Sequence, residues 1–440
     1  MLVIKATLLE TDADHPRLLR DQALRLDKGC IADIGSAADL RERYPDEERL
    51  DAQGMLVMPG LICSHTSLHA SLPRGISGSS SLVHPTLRPF DTGRCYEELR
   101  YRTLLGCIRA IRNGTTTVFD YHFSSHLIPH ALDAMAQAIL QSGLRGCLSH
   151  IAREVDGVAI VQEGIRENAR FAQRVANEPL LTASIGLETS GGFSDETLGA
   201  FIRAGAFSDT GFSVIVLKTS ADDRDSEKRY ALGVLSRLRK FGILGPRSLL
   251  LGCERMNRYE VDTVLRARSW PVYNPATAAV HRSELAPVAQ LLRNGLKVCV
   301  GCGRHSGSVF GAMQIAYFLH RRAWDPTRQL NIRQIKQMVF DNNATMASTV
   351  FRKRLGGLDV GSVADLILLD RPRIDMLDGG TLFEDLALLV GEIHVDTTIV
   401  DGRVLMRHGE LLTLDEEAIM ARMRGRDCAI PIHPGEKAGQ

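Results

Sequence analysis

Over the first 58 positions, apolar residues alternate with polar ones or run in short blocks. "LVIKATLLET" (2–11) and "ALRLDKGCIADIG" (23–35) read as strands, broken at Asp27-Lys28-Gly29 and at Gly35. From about residue 60 the pattern changes, and apolar strand-like runs alternate with amphipathic stretches to about residue 350. Eight runs stand out, at 60–66, 115–122, 145–152, 180–189, 212–220, 248–255, 270–277 and 296–306. The stretches between them, such as "EELRYRTLLGCIRAIRNG" and "PHALDAMAQAILQSGLRG", have helical spacing and close on glycine. Repeated strand–helix units of this number predict an α/β fold, a (β/α)8 TIM barrel with active-site residues at the C-terminal strand ends. A doubly wound sheet is the alternative that the periodicity leaves open. Strands return after 350, at 363–370 and 393–412, and Asp401-Gly402 marks a hairpin. The expected organisation is 1–58 as the first part of a composite β-sandwich, 59–350 as the barrel, 351–415 as the sandwich's second part, and 416–440 as a helix and tail.

Charge narrows the function. The 440 residues carry 53 Lys+Arg and 52 Asp+Glu, a formal net charge of +1, which argues against a nucleic-acid partner. No apolar run approaches the roughly 20 residues of a membrane span. The N-terminal stretch lacks a basic region followed by an apolar block and a small-residue cleavage site. Nine cysteines, an odd number, suit a reducing cytoplasm better than a disulfide framework, so the expected location is cytoplasmic.

Motifs then point to a family. "MPGLICSHTSLHASLPRG" (58–75), "RNGTTTVFDYH" (112–122), "GGLDVGSVADLILLD" (356–370) and "TIVDGRVLMRHGEL" (398–411) resemble the strand-1, strand-2 and C-terminal segments of the amidohydrolase superfamily. The chain is similar to its branch of aminohydrolases, guanine deaminases and triazine chlorohydrolases. That resemblance implies a metal-dependent hydrolase barrel with a composite β domain. It also implies five ligands for zinc or iron: His-x-His on strand 1, a His each on strands 5 and 6, and an Asp on strand 8. This sequence departs from that set. Strand 1 reads His65-Thr66-Ser67, and strand 5 ends Leu217-Lys218-Thr219-Ser220. Strand 6 ends Leu251-Gly252-Cys253-Glu254, and strand 8 reads Gly301-Cys302-Gly303-Arg304. No histidine lies between His150 and His281, so no shift of register restores the missing imidazoles.

The departures set the expectation: a relative that has lost metal-dependent hydrolysis and acts as a non-catalytic binding, regulatory or structural subunit. No residue is assigned as a metal ligand and no cofactor is expected; a divalent zinc or iron enters only in a rebuilt site. The alternative is a hydrolase acting on C–N or C–Cl bonds of a cyclic nitrogen compound through a rebuilt or metal-independent site. His65, Glu188, Lys218, Glu254 and His305 are its catalytic candidates. Lys218 falls where the resemblance places a ligand and offers positive charge, with Glu188 and Glu254 as partners. Ser67, His69, Arg74, His122, Asn274 and Arg304 join these five as candidate ligand-binding residues. Arg74 lies in the Gly/Ser/Pro-rich loop 72–90 that follows strand 1. Cys299-Val300-Gly301-Cys302 sits within a strand and reads as core, because a redox pair needs a helix N-terminus. A small-molecule ligand and a homodimer, or pairing with an active relative, are the expected partners.

Overall fold

The structure, a computed structural model, describes residues 1–10, 17–70, 95–189, 191–216, 220–253, 256–280, 285–304, 307–370, 382–388 and 394–424. Both chain ends build one sheet. Its strands are β1 (Leu2–Glu10), β2 (Arg17–Asp27), β3 (Cys30–Ser36), β4 (Arg49–Asp51) and β5 (Leu56–Pro59). The eight apolar runs that follow become β6 (Leu61–Thr66), β7 (Thr115–His122), β8 (Arg145–Arg153), β9 (Leu181–Glu188), β10 (Gly211–Ile215), β11 (Leu249–Leu251), β12 (Trp270–Tyr273) and β13 (Cys299–Val300). Late in the chain β14 (Leu366–Leu369), β15 (Val395–Val400), β16 (Arg403–Arg407) and β17 (Glu410–Leu411) return to the first sheet, where β14 pairs antiparallel with β5.

Strands β6 to β13 are neighbours in chain order and parallel throughout. The ring closes between β13 and β6: Thr66 bridges Gly303, and the Cys302 and Gly303 amides both donate to the His65 carbonyl. This is the predicted barrel, and the doubly wound alternative falls. The second half of the barrel differs from expectation in strand length. β10 to β13 have two to five residues each, whereas the apolar runs extend further. Asn274 is followed by Pro275, which opens a helix, so the run at 270–277 leaves the ladder early. No helix among the described residues is long and apolar enough to cross a membrane.

One buried ion pair fastens the barrel to the terminal sheet. Arg145, at the start of β8, is fully buried, with Nε and Nη2 donating to the two Asp365 carboxylate oxygens at 3.1 and 3.2 Å. Its Nη2 also reaches Asp401 Oδ1 at 2.9 Å, and the Asp401 amide donates to Asp365 Oδ1 at 2.7 Å. Asp365 and Asp401 belong to the returning C-terminal segment, so residues 220 and 256 positions apart are locked together. The forked geometry satisfies both sides of a desolvated pair.

Between the strands and the outer helices lies a layer of buried histidines. Strand residues alternate between faces. Phe119 and Tyr121 of β7 join the apolar cluster with Ile62, Leu249 and Trp270, while Asp120 and His122 face away from it. His122 Nδ1 meets His69 Nδ1 at 3.4 Å, and His150 Nε2 lies 3.1 Å from the Ser124 carbonyl. Asn168 of the helix Val158–Arg174 accepts from the His150 amide. Burial, helped by Arg304 and Arg102, pushes His69 down to about 3; burial pushes His150 down to about 4 and His122 well below its ordinary value. Burial pushes Asp120 up to about 7.

Two outcomes follow from these buried charges. Arg145→Leu should lower unfolding stability in urea by roughly 3–5 kcal/mol, because Asp365 is left charged and unpaired. Adding Asp365→Asn should recover part of that loss, and simple additivity would contradict the coupling. Stability should also fall as pH drops from about 6.5 towards 4. The unfolded chain takes up protons there on histidines that the native state keeps neutral, each at up to about 1.4 kcal/mol per pH unit. Asp120 works with the opposite sign, its contribution lost as pH rises towards 7, but it stands against three histidines. Urea midpoints across this range test the slope, which should become shallower in His150→Gln; a flat profile would contradict it.

Candidate active site

The C-terminal strand ends define the mouth of the barrel, where this fold places its chemistry. β6 and β7 lose register between Cys63 and Thr66, and at this irregularity the His65 side chain meets those of Tyr121 and Asn274. Its ring lies edge-on to Tyr121, with centroids 4.6 Å apart at 71°. Asn274 Oδ1, at the end of β12, sits 3.1 Å from His65 Nδ1. An amide oxygen only accepts, so Nδ1 carries the proton and Nε2 keeps the lone pair. Burial pushes His65 down to about 4, so the ring is neutral at pH 7.

The backbone around this pair is tightly constrained. A side chain at Gly301 would begin 2.5 Å from Asn274 Oδ1 and 2.7 Å from His65 Cβ, so only glycine lets the two meet. Gly303 has φ +61°, and a Cβ there would lie 2.5 Å from the Thr277 hydroxyl. Gly252, just past β11, has φ +84°, and its Cβ would run into the Val216 carbonyl oxygen. Cys253 donates its thiol to the Leu250 carbonyl. Cys302 is buried beside Cys63, whose Sγ accepts from the Cys302 amide at 3.4 Å; both line a cavity of about 60 Å³ with Leu68, Gly106 and Arg109. Cys299 is fully buried, in keeping with its reading as core.

The sequence candidates divide into those the structure joins and those it does not. His65 and Asn274 come together. Ser67 donates to the Tyr121 carbonyl at 3.4 Å, one position away from the turn Leu68–Ala70. His69 and His122 meet each other in the helix-facing layer: strand alternation turns His122 to the face of β7 opposite Tyr121, and the turn Leu68–Ala70 carries His69 to it. Glu188 ends β9 half-buried, in register with Arg153 and Ile215. Arg304 is exposed at the rim. Arg74, Lys218, Glu254 and His305 lie outside the described residues. Tyr121 was not among the candidates; its signal was the two-residue spacing from Phe119 on a strand ending at His122. Thr277 and the Val216 carbonyl had no sequence signal, since they matter through the space they occupy.

Comparison with known proteins identifies the surroundings of this site. The pattern of the amidohydrolase family matches residues 56–405. A 5'-deoxyadenosine deaminase of Methanosarcina mazei is 27% identical over 430 residues, covering 96% of each chain. A 5-methylthioadenosine/S-adenosylhomocysteine deaminase of Syntrophus aciditrophicus is 25% identical over 439 residues, also covering 96% of each. Among solved structures, a zinc-bound adenosine deaminase from Xanthomonas campestris aligns with TM-score 0.80 at 19% identity, over 96% of this chain and 97% of that one. A zinc complex of atrazine chlorohydrolase from Arthrobacter aurescens aligns with TM-score 0.76 at 20% identity, over 96% and 99%. These structures share the fold.

Two expectations are corrected. Deaminases matched from end to end overturn the non-catalytic subunit. The expectation of no metal also loses its support, since structures that share this fold carry zinc. The described residues do not supply the ligand set that the resemblance implies. Ser67 stands for the second strand-1 histidine, and Gly252 and Gly303 have their side-chain space filled by Val216 and Thr277. Among the described residues, no three of His, Cys, Asp and Glu converge as metal ligands. On the match over residues 56–405, however, the chain belongs to the amidohydrolase family.

Proposed function

We propose that this protein is a hydrolytic deaminase acting on a C–N bond of a cyclic nitrogen compound, with adenine-type nucleosides as the substrate class. The end-to-end match to deaminases named for 5'-deoxyadenosine and methylthioadenosine carries this reading. In the reaction, water adds its oxygen to the ring carbon, the exocyclic C–N bond breaks, and ammonia leaves. One proton of the water must travel from oxygen to the departing nitrogen.

The geometry of this chain supports His65 as the carrier. Its Nδ1 proton is committed to Asn274, which presents the Nε2 lone pair as a base, and burial keeps the ring unprotonated until it acts. A neutral imidazole held by a second group takes the proton from water and returns it to the leaving amine. Asn274 acts through His65 by holding its tautomer and orientation. No step is assigned to a metal. The proposal includes a cytoplasmic setting, supported by free thiols at the described cysteines, and a homodimer, the usual association of soluble enzymes.

Ammonia release from a panel of adenine nucleosides tests the reading. Turnover on at least one member is expected, and His65→Gln should lower it by about 10²–10⁴-fold, the usual contribution of a positioned acid–base group. Asn274→Ala should cost less, roughly tenfold, since the imidazole remains but its tautomer is no longer fixed. Absence of ammonia release across the panel would refute the deaminase. Full activity in His65→Gln would refute the proton carrier and leave the deaminase standing.

A further inference from the structure

A second cavity, of about 370 Å³, lies away from His65 and Asn274, between the helices Ser220–Tyr230 and Val234–Lys240 and the start of the helix Arg258–Ala267. Three carboxylates line it: Asp223, Glu227 and Glu260. Asp223 and Glu227 are four residues apart on one helix, a spacing at which like charges repel. Glu260 comes from the facing helix, and among the described residues no Lys or Arg lines the cavity. Elsewhere the described acids recruit arginines, as Asp133 does with Arg170 and Arg174, and Asp209 with Arg247 and Arg352. None of the three cavity acids has an ion pair among the described residues.

Helix capping accounts for part of this arrangement. Glu260 Oε2 accepts from the Asn257 amide at 2.7 Å in a capping box, and Asp223 Oδ1 accepts from the Val234 amide at 2.8 Å. Capping leaves the rest unexplained. Glu260 is 5% exposed, and its Oε1 has no hydrogen-bond partner among the described residues. Burial, together with the nearby Asp223 and Glu227, raises its carboxyl above the ordinary range. A buried carboxyl oxygen without a donor among the described residues, beside two further acids around one cavity, concentrates negative charge there.

The shape of the charge selects the ligand class. These acids do not converge on one point as metal ligands do. They are spread along a cavity wall, with Tyr259 two-thirds exposed as an apolar surface for a methylene chain. We infer that this cavity binds an aliphatic polyamine, its ammonium groups meeting Asp223, Glu227 and Glu260 in turn. The site is independent of the proposed deaminase chemistry.

Calorimetry on the full chain with spermidine, and with magnesium chloride at matched ionic strength, tests it. Saturable one-to-one spermidine binding is expected, weakened about tenfold or more in Glu227→Gln and in Glu260→Gln, as loss of a charge-assisted contact predicts. Glutamine still completes a capping box, so the second variant keeps its helix start. Absence of saturable spermidine binding would overturn the inference. So would equal binding of magnesium, or spermidine affinity unchanged in both variants.

Discussion

The carbonyl and the imidazole of His65 do two jobs at one point of the chain. The carbonyl accepts the Cys302 and Gly303 amides and so closes the barrel between its first and last strands. The imidazole, held by Asn274 from the seventh strand, becomes the polar centre of the mouth. Closure and the proposed chemistry therefore share one residue. The last strand is only Cys299–Val300, so the seam relies on these two amides, the Thr66–Gly303 bridge and the Asn343 side chain, whose amide nitrogen donates to the Ile62 and Val300 carbonyls. Glycine at 301 keeps the approach open, and a larger residue would disturb the seam and the His65–Asn274 pair together.

The rest of the architecture holds that point still. Arg145 ties the N-terminal end of β8 to the terminal sheet, and β14 on β5 brings the C-terminal strands back beside the N-terminal end of β6. The buried histidine layer fills the space between β6–β8 and their helices with groups that must stay neutral. Close packing of polar side chains with few partners costs stability unless each is kept uncharged. Rigidity at the first three strands is thus obtained with groups sensitive to acid, and burial keeps His65 at the mouth neutral in the same way.

Much of this was legible before any coordinates. The eight apolar runs, the glycine-terminated helices and the Asp401-Gly402 hairpin each report local physics, period-two burial and turn geometry, and those survive folding. Strand ends were less legible. The run at 270–277 overshoots where Pro275 opens a helix, and Leu296 and Val298 are apolar and buried yet precede β13, so hydrophobicity does not mark where a ladder begins or stops. At the site, His65 and Asn274 could be named, but their pairing across 209 residues could not. His69 and His122 could be named too, yet their direction depends on alternation counted from Phe119 and on a turn after β6. The filling of the space at Gly252 and Gly303 by Val216 and Thr277 is a matter of backbone path, which one sequence does not display. The non-catalytic expectation failed because it read missing ligands as missing chemistry, whereas the relatives that match across the chain are deaminases.

The central claim is that a barrel of this family performs hydrolytic deamination at a mouth whose described residues do not form the ligand set implied by that resemblance. Turnover of the best nucleoside in water enriched in oxygen-18 tests the hydrolytic step most directly. The account predicts one ammonia released and one oxygen-18 placed on the product ring per turnover. Ammonia release with no label in the product, or no ammonia release at all, would contradict the account.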